Sequence, residues 1–436
     1  MAQNTFAKAI VKSAYITNFS GKQVDITKSV MTIDVYEDIY SPFVYCDMVI
    51  IDTERLSAVL PLVGEETFVF EFQSIGGRLI QYQFLLYKND TSGSNATNSV
   101  KGYVLRGVTF ERAFDSGRTV DTSYVGTYSS IAGQMFDDYL AKDTAGVGFD
   151  YEPSRSIGRY IGSQVTPLTA MEYCRQRAVS TSEARSPFVF FRNSYGYLFM
   201  SLNGLFNQMA SAQSAQITHR YSARTPSAEF DEETEDSNVD IVDFDIVTHY
   251  DSMSKIDGGA FNTQTFSFDL TTKSFGMKRN FNYADHGKTF QLGGTSDVNR
   301  EQFTRPFANT RCVAYYLPTN TGLELTGDRY TTQKNFYPEY VGEMAAYLTL
   351  VGEYNVHYTI YGDSGVAAGQ VMKIAIPMSK DTSDKGIVHK NDPMYSGNFL
   401  CARVRHTLTF NENVEYYCRI SAINGSRNSS IEEIST

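Results

Sequence analysis

The sequence predicts an α+β fold dominated by β structure. Two antiparallel, barrel-like domains bracket a small α+β domain, and the second carries a long insertion. Three observations predict this. In the first quarter of the chain, strand-like runs follow one another with no helix between them. Helical spacing then appears at 129–140 and 167–179. Strand patterns return from residue 241 and close on a strongly alternating hairpin at 398–424.

The bulk properties fit such a chain. At 436 residues it is too long for one ordinary core, so two to four domains are expected. There is no Trp, yet there are 30 Tyr and 29 Phe, an aromatic excess that leans toward strands. The net charge of -11 argues against a phosphate-tracking nucleic-acid binder, which needs a basic face, and allows a surface that repels DNA. The five Cys (Cys46, Cys174, Cys312, Cys401, Cys418) are odd in number, widely spaced and free of CxxC, so all five are expected reduced. No apolar run has the length of a membrane span, and the N-terminus lacks a signal-peptide core, so a chain soluble when made, without membrane insertion, is expected.

Taken in order, 30–36, 43–51, 67–72, 79–87 and 103–110 are rich in β-branched and aromatic residues, and Pro42, Pro61, Gly64, Gly76 and Gly77 mark the breaks. Five strands without a helix imply a closed or nearly closed antiparallel barrel or sandwich. In 129–140 the apolar residues at 131, 135, 136, 139 and 140 make a helical stripe. A second helix begins with Thr166 as N-cap and Pro167 at the first helical position. The runs 187–192 and 197–202 form a hairpin about 193–196, and 208–216 reads as a linker or marginal helix. Alternation resumes at 241–251 and 261–269, joined by a turn at 255–259. Residues 273–335 are polar and loop-like, 339–350 have helical spacing, and 355–361 and 371–376 are strands. The expected division is 1–112, a first β-barrel domain; 113–225, the α+β domain; and 236–275 plus 350–430, a second β-barrel domain interrupted by 276–349.

In the closing hairpin, pairing about Glu412 sets Phe410 against Val414, Leu408 against Tyr416, Val404 against Ile420 and Ala402 against Ala422. One face is apolar. The other places Arg405 opposite Arg419, with Arg403 beside them, and like charges so placed destabilise a strand pair. Arg405, Arg419 and Arg403 are therefore expected to face an acidic surface of another subunit or partner.

Catalytic signatures are weak. Gly362-Asp363-Ser364-Gly365 matches the nucleophile motif of chymotrypsin-like proteases, but nothing nearby supplies an oriented His, and a turn between strands is the simpler reading. His406 opposite Cys418 would lie on the buried face and is expected to be a packed pair. The other His residues form no zinc spacing, and the acidic run 229–243 lacks the Asp spacing and central Gly of a calcium loop. It reads as a solvated loop, or one that meets a basic partner. No catalytic, cofactor-binding or metal site is expected.

Four stretches, in this order, carry a family resemblance: ITKSVMTIDVYEDIYSPFVYCDMVIIDTERL (26–56), TPLTAMEYCRQRAVSTSEARSPFVFFRNSYGYLFMSL (166–202), VDIVDFDIVTHYDSMSKIDGGAFNTQTFSFDLTTKSF (239–275), and GQVMKIAIP (369–377) with the segment from Asp392 through the hairpin. Together they resemble the baseplate central hub proteins of contractile-tailed phages, and the related hub domains of type VI secretion and injection-system spike proteins. The resemblance spans most of the chain and is weakest at 276–335. It implies a homotrimer in which each subunit gives two tube domains, so that six make a pseudo-sixfold ring. Such a ring joins the sixfold tail tube, or its adaptor, above to the threefold central spike below. Wedge proteins lie at its periphery, and viral DNA passes through without specific binding. The implied location is the virion tail baseplate, assembled in host cytoplasm, with no enzymatic activity. An alternative is the hub of a secretion or extracellular contractile injection particle; the end of this chain at Thr436, with no β-helical spike following, favours the phage case. A carbohydrate-binding or hydrolytic β protein is the reading from another class, disfavoured by the absence of Trp and of an acid pair.

Overall fold

The computed structural model describes residues 8–52, 62–92, 101–141, 146–155, 157–162, 164–182, 186–210, 218–221, 238–248, 252–259, 262–269, 272–282, 313–318, 320–326, 329–334, 337–351, 354–376, 392 and 395–424. Seven strands come first: β1 (Ala9–Thr17), β2 (Gln23–Asp25), β3 (Val30–Asp38), β4 (Tyr45–Asp52), β5 (Thr67–Ser74), β6 (Ile80–Ser92) and β7 (Lys101–Thr109). The middle region holds α1 (Glu111–Ser116), β8 (Tyr124–Thr127), α2 (Tyr128–Tyr139), β9 (Gly148–Tyr151), β10 (Ile157–Tyr160), α3 (Pro167–Arg177), β11 (Phe188–Arg192), β12 (Gly196–Ser201) and α4 (Leu202–Ala210). Then follow β13 (Thr218–Tyr221), β14 (Asn238–Thr248), α5 (Ser252–Asp257), β15 (Asn262–Asp269), β16 (Ser274–Asn282), β17 (Val313–Pro318), β18 (Asn320–Thr326), β19 (Arg329–Lys334) and α6 (Tyr337–Leu350). The chain closes with β20 (Tyr354–Tyr361), β21 (Val371–Ala375), β22 (Gly397–Phe410) and β23 (Val414–Asn424).

The two β regions are joined in one sheet of thirteen strands, ordered β2-β1-β5-β6-β7-β4-β3-β22-β21-β13-β14-β20-β23. Because β22 also pairs with β23, the pairings of β22, β21, β13, β14, β20 and β23 return to their start. All are antiparallel except that β13 runs parallel to β14 and β21. The first region has no such return among the described residues, and a single bridge from Lys8 to Glu415 links its β1 end to β23. The seam between the regions is β3 against β22, with Arg403 opposite Asp38 and Thr409 opposite Thr32.

Alternation decides what the sheet buries. Ile33 and Val35 on β3 point inward, as do Phe68, Phe70 and Phe72 on β5. The β11–β12 hairpin is buried on both faces, which is why its sequence reads as unbroken apolar runs. Val189, Phe191, Leu198 and Met200 join the large core under the thirteen-stranded sheet. Phe188, Phe190, Tyr197 and Phe199 join a second core under α2 and α3. Gly369, at φ +90°, lets the β20–β21 turn lie on this hairpin; a Cβ there would come within 2.6 Å of the Phe191 ring.

Four local expectations change. Thr166 holds the N-cap position of α3 with extended backbone, but its side chain makes no cap bond; Asp115 of α1 accepts from Leu168 N at 2.7 Å instead. The turn expected at 255–259 is in part helix α5. The loop-like stretch 273–335 contains β16, β17, β18 and β19; the polar compositions of β18 and β19 (NTGLELT, RYTTQK) hid their strand period. The expected linker begins within α4, and 211–217 lie outside the described residues.

His219 on β13 is buried and shares a 2.8 Å hydrogen bond between Nδ1 and the Tyr358 hydroxyl. Burial pushes its pKa down to about 4. The neutral imidazole therefore contributes stability that is full above about pH 6.5 and falls as pH drops toward about 4, by about 3 kcal/mol. Denaturant titrations across that window should show the loss, and His219→Gln should flatten it. An unchanged slope in the variant would assign the acid sensitivity to other groups.

A polar face over a buried junction

The outward face of the shared sheet carries the three arginines. Reading across the registers, one row runs Asp243, Thr359, Arg419, Arg405, Tyr36, Tyr45 over β14, β20, β23, β22, β3 and β4. The next runs Asp245, His357, Ser421, Arg403, Asp38. These rows floor an open groove of about 590 Å³.

The hairpin register holds from Phe410–Val414 to Arg403–Ser421, with Arg405 opposite Arg419 as expected. A bulge then leaves Ala402 out of the pairing, so Cys401 lies opposite Ala422 and not Ile423, and Ala402 O instead accepts from Ile39 N at 3.0 Å. The expectation that the arginines lack a partner in their own chain is overturned for two of them. Arg405 donates from Nε to Asp34 Oδ1 (2.9 Å) and from Nη2 to Asp34 Oδ2 (2.7 Å), and Thr407 Oγ1 also donates to Oδ1 (2.7 Å). Arg403 Nε donates to Asp38 Oδ2 at 2.6 Å. Both acids sit on β3, a strand some 370 residues away in sequence, so the hairpin alone could not reveal them. Arg419 is exposed and forms no ion pair among the described residues. Replacing Asp34 with Asn should cost about 1–2 kcal/mol, because a bidentate charge-assisted pair is lost at a partly solvated site and Arg405 is left facing Arg419. Thermal denaturation checks this; a shift in the stabilising direction would contradict it.

Directly beneath lies a feature that reading for surface charge missed. The alternation of β3 puts Glu37 on the inward face beside Val35, and Glu37 is 1% exposed. Its Oε1 accepts from the Tyr82 hydroxyl of β6 (2.5 Å) and from Ser194 N in the β11–β12 turn (3.0 Å). Its Oε2 accepts from Ala368 N in the β20–β21 turn (2.9 Å). One carboxyl thus ties together the first β region, the α+β region and the last β region. Burial pushes its pKa up. Arg78 reinforces the same turn, donating to Ser194 O (3.1 Å) and Oγ (2.7 Å) with its guanidinium 3.8 Å from the centre of the Tyr195 ring. The signal was available in sequence: Ile33, Val35, Glu37 and Ile39 share one parity, and only one of them is charged.

The Gly362–Gly365 motif is a turn between β20 and β21. Ser364 is fully buried and exchanges hydrogen bonds with Ser74, each backbone N–H donating to the other's Oγ at 3.2 Å. His406 and Cys418 are both buried, with Sγ 3.4 Å from Nδ1, and burial pushes the thiol up to about 12, so it is no nucleophile. Cys46, Cys174, Cys401 and Cys418 are free and buried, and Cys312 lies outside the described residues. Of the acidic run, 229–237 also lie outside them, while Asp240 and Asp243 are exposed on β14. Among the described residues no group of three or more His, Cys, Asp or Glu is placed to hold a metal ion, and no helix is long and apolar enough to cross a membrane.

Comparison with solved structures decides the fold. The 43 kDa tail protein of prophage MuSo2 from Shewanella oneidensis matches with TM-score 0.52 at 9% identity, covering 95% of this chain and 98% of that one. The chain has the fold of a phage tail protein. A tail protein from Neisseria meningitidis MC58 aligns over 94% of this chain and 96% of its own at 11% identity and TM-score 0.49. The E. coli c3393 protein, a component of the type VI secretion system, aligns over 97% and 80% at 9% identity and TM-score 0.42. No family model and no curated protein matches the chain. By their names these neighbours are two tail proteins and one type VI secretion system component.

Proposed function

We propose that this chain is the structural hub of a contractile phage-tail baseplate. Three copies form a ring that joins a sixfold tail tube above to a threefold spike below, with wedge proteins around it. The ring surrounds part of the channel through which viral DNA leaves the particle. The observation that carries the reading is the tail-protein fold, matched over 95% of this chain and 98% of the other. The continuous sheet supports it as well: two β regions locked at β3–β22 make a rigid bipartite unit, as an adaptor between symmetries requires. In this reading 1–112 and 236–275 with 350–430 supply the two tube domains. The net charge of -11 suits a wall that DNA must slide past. The ring is a component of the virion tail, assembled in the host cytoplasm, and has no catalytic role.

Among the three arginines, Arg419 is the one still available to a neighbouring subunit, since Arg403 and Arg405 are held by Asp38 and Asp34. Arg419→Glu should weaken ring assembly, or capture of the spike protein, while leaving the melting temperature of the isolated chain within about 2 °C of the parent, as surface substitutions do. Sedimentation of the variant with and without the spike tests this. Unchanged assembly removes Arg419 from the interface. A wild-type chain that binds glycan and ignores every spike removes the hub reading itself.

A further inference from the structure

The rigidity of the bipartite β unit does not come from its seam alone. The two β regions meet along one strand pair, β3 against β22, over seven positions from Arg403–Asp38 to Thr409–Thr32. The angle between paired strands varies over roughly 10–35° from sheet to sheet, so a single pair joins two bodies without fixing their inclination. What braces this joint is the tip of the β11–β12 hairpin, Asn193–Gly196, which belongs to neither β region.

The tip is bonded to both sides. Toward the first β region, Ser194 N donates to Glu37 Oε1 at 3.0 Å, and Arg78 donates to Ser194 O (3.1 Å) and Oγ (2.7 Å). Just before the tip, Arg192 N donates to Ser41 O at 3.3 Å. Toward the last β region, Asn193 Nδ2 donates to Ala368 O at 2.8 Å and the Tyr195 hydroxyl to Gly365 O at 3.0 Å, both in the β20–β21 turn. Gln370 Nε2 donates to the same Gly365 carbonyl at 3.0 Å. The shape of the tip is fixed by its own residues. Asn193 Oδ1 accepts from Tyr195 N (2.8 Å) and Gly196 N (3.2 Å), an Asn-closed turn that leaves the amide nitrogen aimed at Ala368. Because the tip lies on the inward side of the seam, under Glu37, any change of inclination must stretch its bonds to one region or the other.

We propose that this hairpin tip is a latch that sets the angle between the two β regions, and that three copies close into a ring only while it is fastened. The purpose rests on the ring reading given above; the mechanics do not. A ring of identical head-to-tail contacts closes only when the rotation per copy is one third of a turn, and an error in that rotation gives open chains. The internal angle of each subunit enters that rotation three times. The body of the hairpin is packed into both cores, whereas the tip is held by hydrogen bonds between turns and Tyr195 is 53% exposed. The latch therefore opens without opening either core.

Spin labels at Gln81→Cys on β6 and Asp240→Cys on β14, exposed positions on opposite sides of the seam, read the angle in the full chain as a distance distribution. Cys46, Cys174, Cys401 and Cys418 are buried, and Cys312→Ser confines labelling to the two sites. Asn193→Asp with Tyr195→Phe keeps the acceptor that closes the turn and removes both donors to the last β region. The parent should give one narrow distribution; the double variant should give a broad one with both cores still folded, and without labels it should fail to reach the three-copy mass. If the double variant does not fold, Tyr195→Ala, at a half-exposed ring, carries the same expectation. A distribution as narrow as the parent's in the folded variant overturns the latch. A broadened distribution with undiminished ring formation overturns its role in closure. A parent that forms no ring while the variant still broadens removes the ring reading and leaves the latch standing.

Discussion

Truncating Arg192 to Ala should destabilise the chain by about 3–5 kcal/mol, because the variant leaves Glu111 buried without its counter-ion. The two side chains are each 6% exposed and form an ion pair between β11 and α1. The guanidinium also lies between the Tyr82 and Tyr197 rings, 5.8 and 5.6 Å from their centres. The loss is therefore felt at the boundary of both cores. Replacing the pair together, Glu111→Leu with Arg192→Met, should recover much of the loss, since a buried ion pair is often matched by apolar residues of similar volume. Chemical denaturation of the single and double variants measures this. A single variant within about 1 kcal/mol of wild type would show that solvent reaches Glu111.

Glu37→Ala should cost a similar amount, about 3–5 kcal/mol, from three donors stranded at once: the Tyr82 hydroxyl and the amides of Ser194 and Ala368. Its signature differs from that of Arg192→Ala. The lost bonds join three regions, so limited proteolysis should cut near the Ser194 and Ala368 turns under conditions where the parent resists. Glu37→Gln keeps one acceptor oxygen but turns an NH2 group toward the remaining donor, so its loss should be smaller than that of Glu37→Ala. A full-strength loss in Glu37→Gln with none in Glu37→Ala would contradict the hydrogen-bond account.

Much of the fold was legible because burial on one face writes period-2 alternation into a strand. The strands β3 to β7, the β11–β12 hairpin, α2, α3 and the β22–β23 register from Phe410–Val414 to Arg403–Ser421 all lay in the sequence, as did the Pro167 helix start. What was hidden followed from distance or from polarity. The β3–β22 seam joins segments more than 360 residues apart, and no local pattern names such a partner. For that reason Arg403 and Arg405 looked unpartnered, although Asp34 stood within the strand expected at 30–36 and Asp38 two residues past its end, on β3 as it forms. In β15, Thr263, Thr265 and Ser267 are the buried positions, so hydrophobic spacing there misstates the core face. In β18 and β19, strands built from Thr, Gln and charged residues gave no apolar period to read. Glu37 was legible and missed: a charged residue in phase with Val35 and Ile39 marks a buried polar contact, and the junction is built on it.

The central claim is a threefold ring, and the mass of the purified chain in solution tests it most directly. Native mass spectrometry should give a species of three times the 48.9 kDa chain mass, formed by the chain alone or on addition of the spike protein. A chain that remains at the single-subunit mass under both conditions would contradict the account.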